Sequence, residues 1–300
     1  MQPTASYKLV KKIKDDRFDE EALHQYRLII QFGVRDFQVT IVEEEDHRVL
    51  FFEDYVLSDL SSYAEQLGVV RQLFESHEVL GAGFWKSVTV SIKNNKFVQV
   101  PAGLFHEASA GEYLAFNASV NIEQEEVLYT RHATHEVVTV FAVQKPLIQW
   151  LQQIYQNTHL TFTHQSAALT EGVAAYASTV TGVPLYIYVD RFKLHILSIA
   201  DGKLVYYNQF PIKQFSDYVK YIMLVLNALH MDQKTSQIIL WGYIGKNSPH
   251  YQEFYKYIQN VSFGERPAAL KFGYMFDEIQ EHHFFDLFSI PLLSPTLQQS

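Results

Sequence analysis

The chain contains no cysteine, which removes disulfides, thiolate metal sites and a cysteine nucleophile in one step. Long apolar runs are missing too. The longest, Tyr221–Leu229, falls far short of the roughly 20 residues that a bilayer-spanning helix needs. Met1–Arg17 holds no apolar stretch of signal-peptide length, so the expected location is the cytoplasm. Positive charge is scarce: 24 Lys and Arg stand against 33 Asp and Glu, for a net charge of −9. Surfaces that track nucleic-acid phosphates are basic, so nucleic acid is not an expected partner. The one basic cluster, Lys8-Leu9-Val10-Lys11-Lys12-Ile13-Lys14, runs straight into Asp15-Asp16 and Asp19-Glu20-Glu21. It reads as a solvated terminal stretch. No Gly-x-Ser-x-Gly nucleophile elbow occurs.

What is present is a large apolar inventory in a repeated order. Apolar residues make up 48% of the 300 residues and aromatics 15%, ample for two packed α/β cores. Both halves open alike. Leu28, Ile30 and Phe32 alternate as Leu185, Ile187 and Val189 do; Phe37, Val39 and Ile41 answer Phe192, Leu194 and Ile196. Leu50-Phe51-Phe52 then matches Val205-Tyr206-Tyr207. Period-two alternation broken by short polar turns predicts a three-strand antiparallel meander in each half.

A helix and another strand follow each meander. In the first half Leu60, Tyr63, Ala64, Leu67, Val70 and Phe74 recur at spacings of three and four, with Ser58 or Asp59 as cap. Val88–Ile92 is the next strand. In the second half the helix carries Phe215, Tyr218, Val219, Ile222, Val225, Leu226 and Leu229, and Ile238–Trp241 is the strand. Residues 93–131 do not follow the repeat and read as an insertion, with strands at Phe97–Val100, Tyr113–Phe116 and Val127–Thr130 and a short helix near Leu104. Val137–Val143 reads as a buried strand of the first lobe, Leu147–Tyr155 as a helix after Pro146, and Leu160–Thr163 as a parallel strand. Thr181-Gly182-Val183-Pro184 is the expected boundary. The division is thus a charged segment 1–22, a first lobe 23–180 and a second lobe 183–300.

This order of elements resembles the actin, sugar-kinase and Hsp70 ATPase superfamily, and within it the bacterial pilus-assembly protein PilM and cell-division protein FtsA. Val98-Gln99-Val100-Pro101-Ala102-Gly103-Leu104-Phe105 and Tyr113-Leu114-Ala115-Phe116-Asn117 resemble a family of uncharacterised bacterial proteins with this fold. The resemblance spans about residues 25 to 260. It implies a two-lobed α/β molecule, two duplicated ribonuclease H-like mixed sheets with flanking helices, and a nucleotide cleft between them.

In that superfamily the turn after the first strand of each lobe wraps phosphate with backbone N–H groups, and an Asp there positions metal or water. Here the first turn, Gln31-Phe32-Gly33-Val34-Arg35-Asp36, keeps Gly33 but has Gln31 in the acid's place and Val34 in the hydroxyl's. The second, Val189-Asp190-Arg191-Phe192-Lys193, keeps Asp190 but no glycine. The loop that would hold adenosine reads Leu240-Trp241-Gly242-Tyr243-Ile244-Gly245-Lys246-Asn247, with bulky residues around Gly242. All three loops depart from the pattern. The expectation is a non-hydrolysing protein-binding scaffold with no cofactor, no catalytic residue, no metal site and an unidentified protein partner. The alternative is a divergent ATP/Mg²⁺-dependent switch using Gly33, Arg35, Asp190, Gly242 and Lys246, with Asp190 orienting Mg²⁺ or water. A third class, a small-molecule module using the same cleft, follows from fold analogy alone.

Other motifs read as structure. Gly81-Ala82-Gly83-Phe84-Trp85-Lys86-Ser87 has Trp85 where a phosphate loop needs glycine, and reads as a connection. His132 and His135 lie between strand-like runs, where residues three apart diverge. Glu281-His282-His283 with Asp286 reads as a polar surface before the apolar Phe284–Phe288. Asp201-Gly202 signals a hairpin turn.

Overall fold

A computed structural model describes residues 6–132, 135–214 and 216–293. Phe215 of the readings above lies outside the described residues. The first lobe is built from β1 (Ser6–Lys14), β2 (Tyr26–Gly33), β3 (Asp36–Glu43), β4 (Arg48–Ser58), α1 (Tyr63–Ser76) and β5 (Ser87–Lys93). Then come β6 (Phe97–Pro101), α2 (Ala110–Ala115), β7 (Glu125–Arg131), β8 (Val137–Gln144), α3 (Lys145–Ile154), β9 (His159–His164) and α4 (Gln165–Ala177). The second lobe has β10 (Leu185–Val189), β11 (Lys193–Ala200), β12 (Lys203–Pro211), α5 (Ser216–Ala228), β13 (Ile238–Gly242), α6 (Pro249–Tyr255) and β14 (Val261–Phe263). A closing segment contributes β15 (Lys271–Phe272) and α7 (Phe285–Ser289).

The repeated meanders are real: β2-β3-β4 and β10-β11-β12 pair antiparallel, and β5 and β13 lie parallel to the first strand of each. The larger sheet runs β1-β4-β3-β2-β5-β9 with β15 beside β4; the second runs β12-β11-β10-β13-β14. Both faces of the central strands are covered. Leu28, Ile30 and Phe32 join Leu67, Val70, Leu147 and Leu151 of α1 and α3 in one core, while Ile29 packs on the other face with Ala167, Leu287 and Phe288. The small residues of α4 let it sit between the sheets, Ala167 and Ala168 toward the first and Leu169 and Val173 toward the second. Gly172 allows α7 to close against it, since a Cβ there would overlap Ser289.

Four expectations change. The basic N-terminal cluster keeps its lysines mostly exposed but is the edge strand β1, paired with β4; the consecutive Lys11 and Lys12 reach Glu278 and Glu53 respectively. Val137–Val143 belongs to neither main sheet. It is the middle strand of a separate three-stranded sheet, β6-β8-β7, so the insertion reaches Gln144 and has its own core around Val100, Phe105, Leu114 and Val140. Tyr113–Phe116 falls on helix α2 because Leu114 and Ala110 turn into that core together. Residues 271–293, read as second lobe, return to the first: β15 pairs with β4, and Phe276, Phe284 and Phe288 pack beneath Phe52.

Candidate functional site

The two meander turns face each other across the lobes. Phe32 pairs with Phe37 and Val189 with Leu194, so each turn has four residues between its paired ends, Gly33-Val34-Arg35-Asp36 and Asp190-Arg191-Phe192-Lys193. All of these except Gly33 line a cavity of about 320 Å³ together with Lys93. Arg35 lies over the Phe192 ring at 5.5 Å.

Its floor is ionic. Lys93, at the end of β5, is buried and donates from Nζ to Asp36 Oδ2 at 2.5 Å and to Asp190 Oδ1 at 3.0 Å. A lysine at the end of an apolar parallel strand points its ammonium at whatever the neighbouring turns supply, and both turns supply an acid. Burial alone would pull the Lys93 ammonium down, but Asp190 and Asp36, with Asp286 beyond, hold it well above the usual lysine value. Burial likewise pushes Asp190 up, but Lys93, His195, the Gln165 amide and Lys193 together more than offset it, leaving that carboxyl below the usual range. Both Asp190 oxygens are engaged: Arg191 N also donates to Oδ1, at 2.8 Å, and Gln165 Nε2 donates to Oδ2 at 3.0 Å.

Gln165 opens α4 and also donates to Asp286 Oδ2 at 2.7 Å, while the Tyr188 hydroxyl donates to Asp286 Oδ1 at 2.5 Å. Asp286 is fully buried, and burial raises its carboxyl. The expected polar surface at residues 281–286 is therefore interior at Asp286 and His282. His282 is enclosed because its imidazole packs on Phe263 and bonds the Ile244 carbonyl at 2.7 Å.

A second ionic tie crosses the lobes. Arg191 Nη2 donates to Asp54 Oδ2 at 2.5 Å and lies over the Tyr243 ring at 4.8 Å. Gln38 Nε2 donates to Asp54 Oδ1 at 3.0 Å and to the Tyr243 hydroxyl at 2.9 Å. Burial raises Asp54 to about 6 despite Arg191. Lys193, enclosed beside Lys93, is lowered to about 8, chiefly by burial.

Of the residues singled out from sequence, Arg35 and Asp190 meet in this cavity. Gly33 borders the smaller adjoining one, about 190 Å³. Its missing side chain is filled from within, since a Cβ would overlap the Asp36 carboxylate. Gln31, in the acid's place, is fully buried with both amide atoms unpartnered among the described residues. Gly242 has φ of +94°, and a Cβ would overlap Val189; Tyr243 N bonds the Val189 carbonyl at 2.7 Å. Lys246 stands apart, in a groove of about 930 Å³ with Phe263 and His282. Trp241 is buried with its indole donating to the Glu265 carbonyl at 2.9 Å. His132 and His135 converge, but on Glu171 of α4, at 2.7 and 3.2 Å. Among the described residues no group of three or more His, Asp or Glu is arranged to hold a metal ion, and no helix is long and apolar enough to cross a membrane.

Sequence reasoning missed Asp36, Lys93, Gln165 and Asp286 as members of one cluster. The available signal was an acid in each turn and a lysine ending the strand between them.

The chain is similar in structure to a protein of unknown function with actin-like ATPase fold from Bacteroides thetaiotaomicron. The TM-score is 0.73 and the identity 22%, over 82% of this chain and 93% of that one. It is also similar to a chain of the PilM–PilN type IV pilus biogenesis complex, with a TM-score of 0.58 and 11% identity over 90% and 99%. The fold is therefore that of the actin-like ATPases. No curated protein matches the sequence. The model of a family described as protein of unknown function (DUF3822) matches residues 15–261, and the chain belongs to that family.

Proposed function

We propose that this protein is a non-hydrolysing member of the actin-like fold that acts by binding another protein, with its inter-lobe cleft held by an internal ion triad instead of a nucleotide. The observation that carries this reading is the Lys93 ammonium seated between Asp36 and Asp190. In a nucleotide site of this fold the second-lobe acid serves a metal ion or water. Here its oxygens already accept from Lys93, Arg191 N and Gln165. The residues present do not fit Mg²⁺-ATP in two further respects. The second turn has no glycine to bring backbone N–H groups close to phosphate, and Tyr243 reaches across the cleft to Gln38. The PilM neighbour was solved in a complex with PilN, which makes protein binding a natural use of the frame without naming the partner.

Calorimetric titration with ATP and ADP, with and without Mg²⁺, tests the reading. No heat of binding at millimolar nucleotide is expected. Micromolar binding would overturn it and give the cleft back to a switch.

A further inference from the structure

We propose that the cavity at the opposite end of the first sheet, where the parallel strands β2, β5 and β9 begin, binds a small oxyanion. The inference is independent of the cleft: Arg27 lies near the start of β2, whereas Gly33 ends it. The cavity measures about 300 Å³, within the range of small-ligand sites.

Its central group is Arg27. The guanidinium is largely enclosed, yet its bonds go only to neutral groups. Nε and Nη2 donate to Thr89 Oγ1 at 3.2 and 2.9 Å, and Nη1 reaches the Pro291 carbonyl only at 3.5 Å. Among the described residues no carboxylate stands within ion-pair distance of it. Burial lowers its affinity for the proton, and the charge of Glu44 opposes this only in part. An enclosed charge without a counter-ion is costly. Arg266 shows the structural solution to the same problem, giving its Nη2 to two chain carbonyls at 2.5 and 2.6 Å. Arg27 has no such pair.

The walls bring further donors. Lys86, His47 and His159 border the cavity, and its one acid, Glu44, is held by Lys86 at 2.6 Å. Thr89 and Thr161, whose hydroxyls lie 3.1 Å apart, complete the polar lining. A planar fork of N–H donors with hydroxyls beside it matches the oxygens of phosphate, sulfate or a carboxylate.

The full chain would be titrated calorimetrically with inorganic phosphate, sulfate and acetate, with KCl holding ionic strength constant. The expected result is saturable binding of at least one, and which of them binds separates tetrahedral from planar anions. Arg27→Gln should weaken it by about tenfold or more. Because Arg27 bridges β2 and the closing segment, two exposed positions provide tests that leave the fold alone. Lys86→Gln should weaken binding, and Glu44→Gln should strengthen it, a sign that a purely structural Arg27 would not produce. Absence of saturable binding by all three anions, or equal affinity in the wild type and these variants, would overturn the proposal.

Discussion

The two turns that face each other across the cleft are the same device built twice, and they differ at every one of four positions. Where the first has Gly33, the second has Asp190; where the first ends in Asp36, the second ends in Lys193. Each keeps one half of the phosphate-loop pattern. The first has the glycine without an acid in the strand before it, and the second has the acid without the glycine. The two are nevertheless complementary, because both acids bind Lys93 and Arg35 of one stacks on Phe192 of the other. The comparison teaches that a glycine kept at a phosphate-loop position can serve a different partner. Gly33 leaves room for the Asp36 carboxylate, where a nucleotide-binding turn would leave room for a phosphate.

The largest effect should come from removing what the turns share. Lys93→Met strands Asp36 and Asp190 in the interior and should cost about 3–5 kcal/mol, read as a lower urea midpoint. Millimolar Mg²⁺ should recover part of that loss in the variant and none in the wild type; no Mg²⁺ response would mean the acids cannot accept a metal even when vacated. Next is the pH dependence on the two sides. Asp54, raised from 3.8 to about 6, holds its proton more tightly folded than unfolded. Stability from it is present below about pH 4 and lost as pH rises through 6, a contribution of about 3 kcal/mol. Asp190 is depressed, so its contribution is present at neutral pH and lost as pH falls below 4. Urea titrations across pH 3–8 should show the falling limb vanish in Asp54→Asn while the acid limb remains. An unchanged profile would place Asp54 outside the linkage.

Gly33→Ala should then cost about 1–3 kcal/mol by overpacking against Asp36, and much less in an Asp36→Ala background. A cost that stays the same in both backgrounds would move the cause of the glycine elsewhere. The smallest change is Arg35→Ala, which removes the exposed stack on Phe192 and should cost about 0.5–1 kcal/mol in the same denaturation assay.

Much of the architecture was legible because burial writes itself into period. Leu28–Phe32 and Leu185–Val189 alternate as sheet strands must, and α1 and α5 carry apolar residues at helical spacing. What stayed hidden depends on long-range placement. Val137–Val143 reads as a buried strand whichever sheet it joins, and only the positions of Phe97–Pro101 and Glu125–Arg131 assign it to the small sheet. Helix α2 is too short for periodicity to distinguish from a strand. In the site, Gly33, Arg35 and Asp190 were visible as turn residues. Asp286 was not, since its neighbours Glu281 and His283 are polar and nothing local says that a Gln165 amide 121 positions earlier in the chain will meet it.

The return of the closing segment to the first sheet also sets an order of synthesis. Phe52 and Ile29 share a core with Ala167 and Ala168 of α4 and with Phe276, Leu287 and Phe288, so one face of that sheet has only α4 against it until the ribosome has passed the entire second lobe. At translation rates of 5–20 residues per second, more than a hundred residues separate α4 from α7 by on the order of ten seconds. During that interval a nascent chain carries a folded-looking sheet with an open apolar side. The first lobe is made first and completed last.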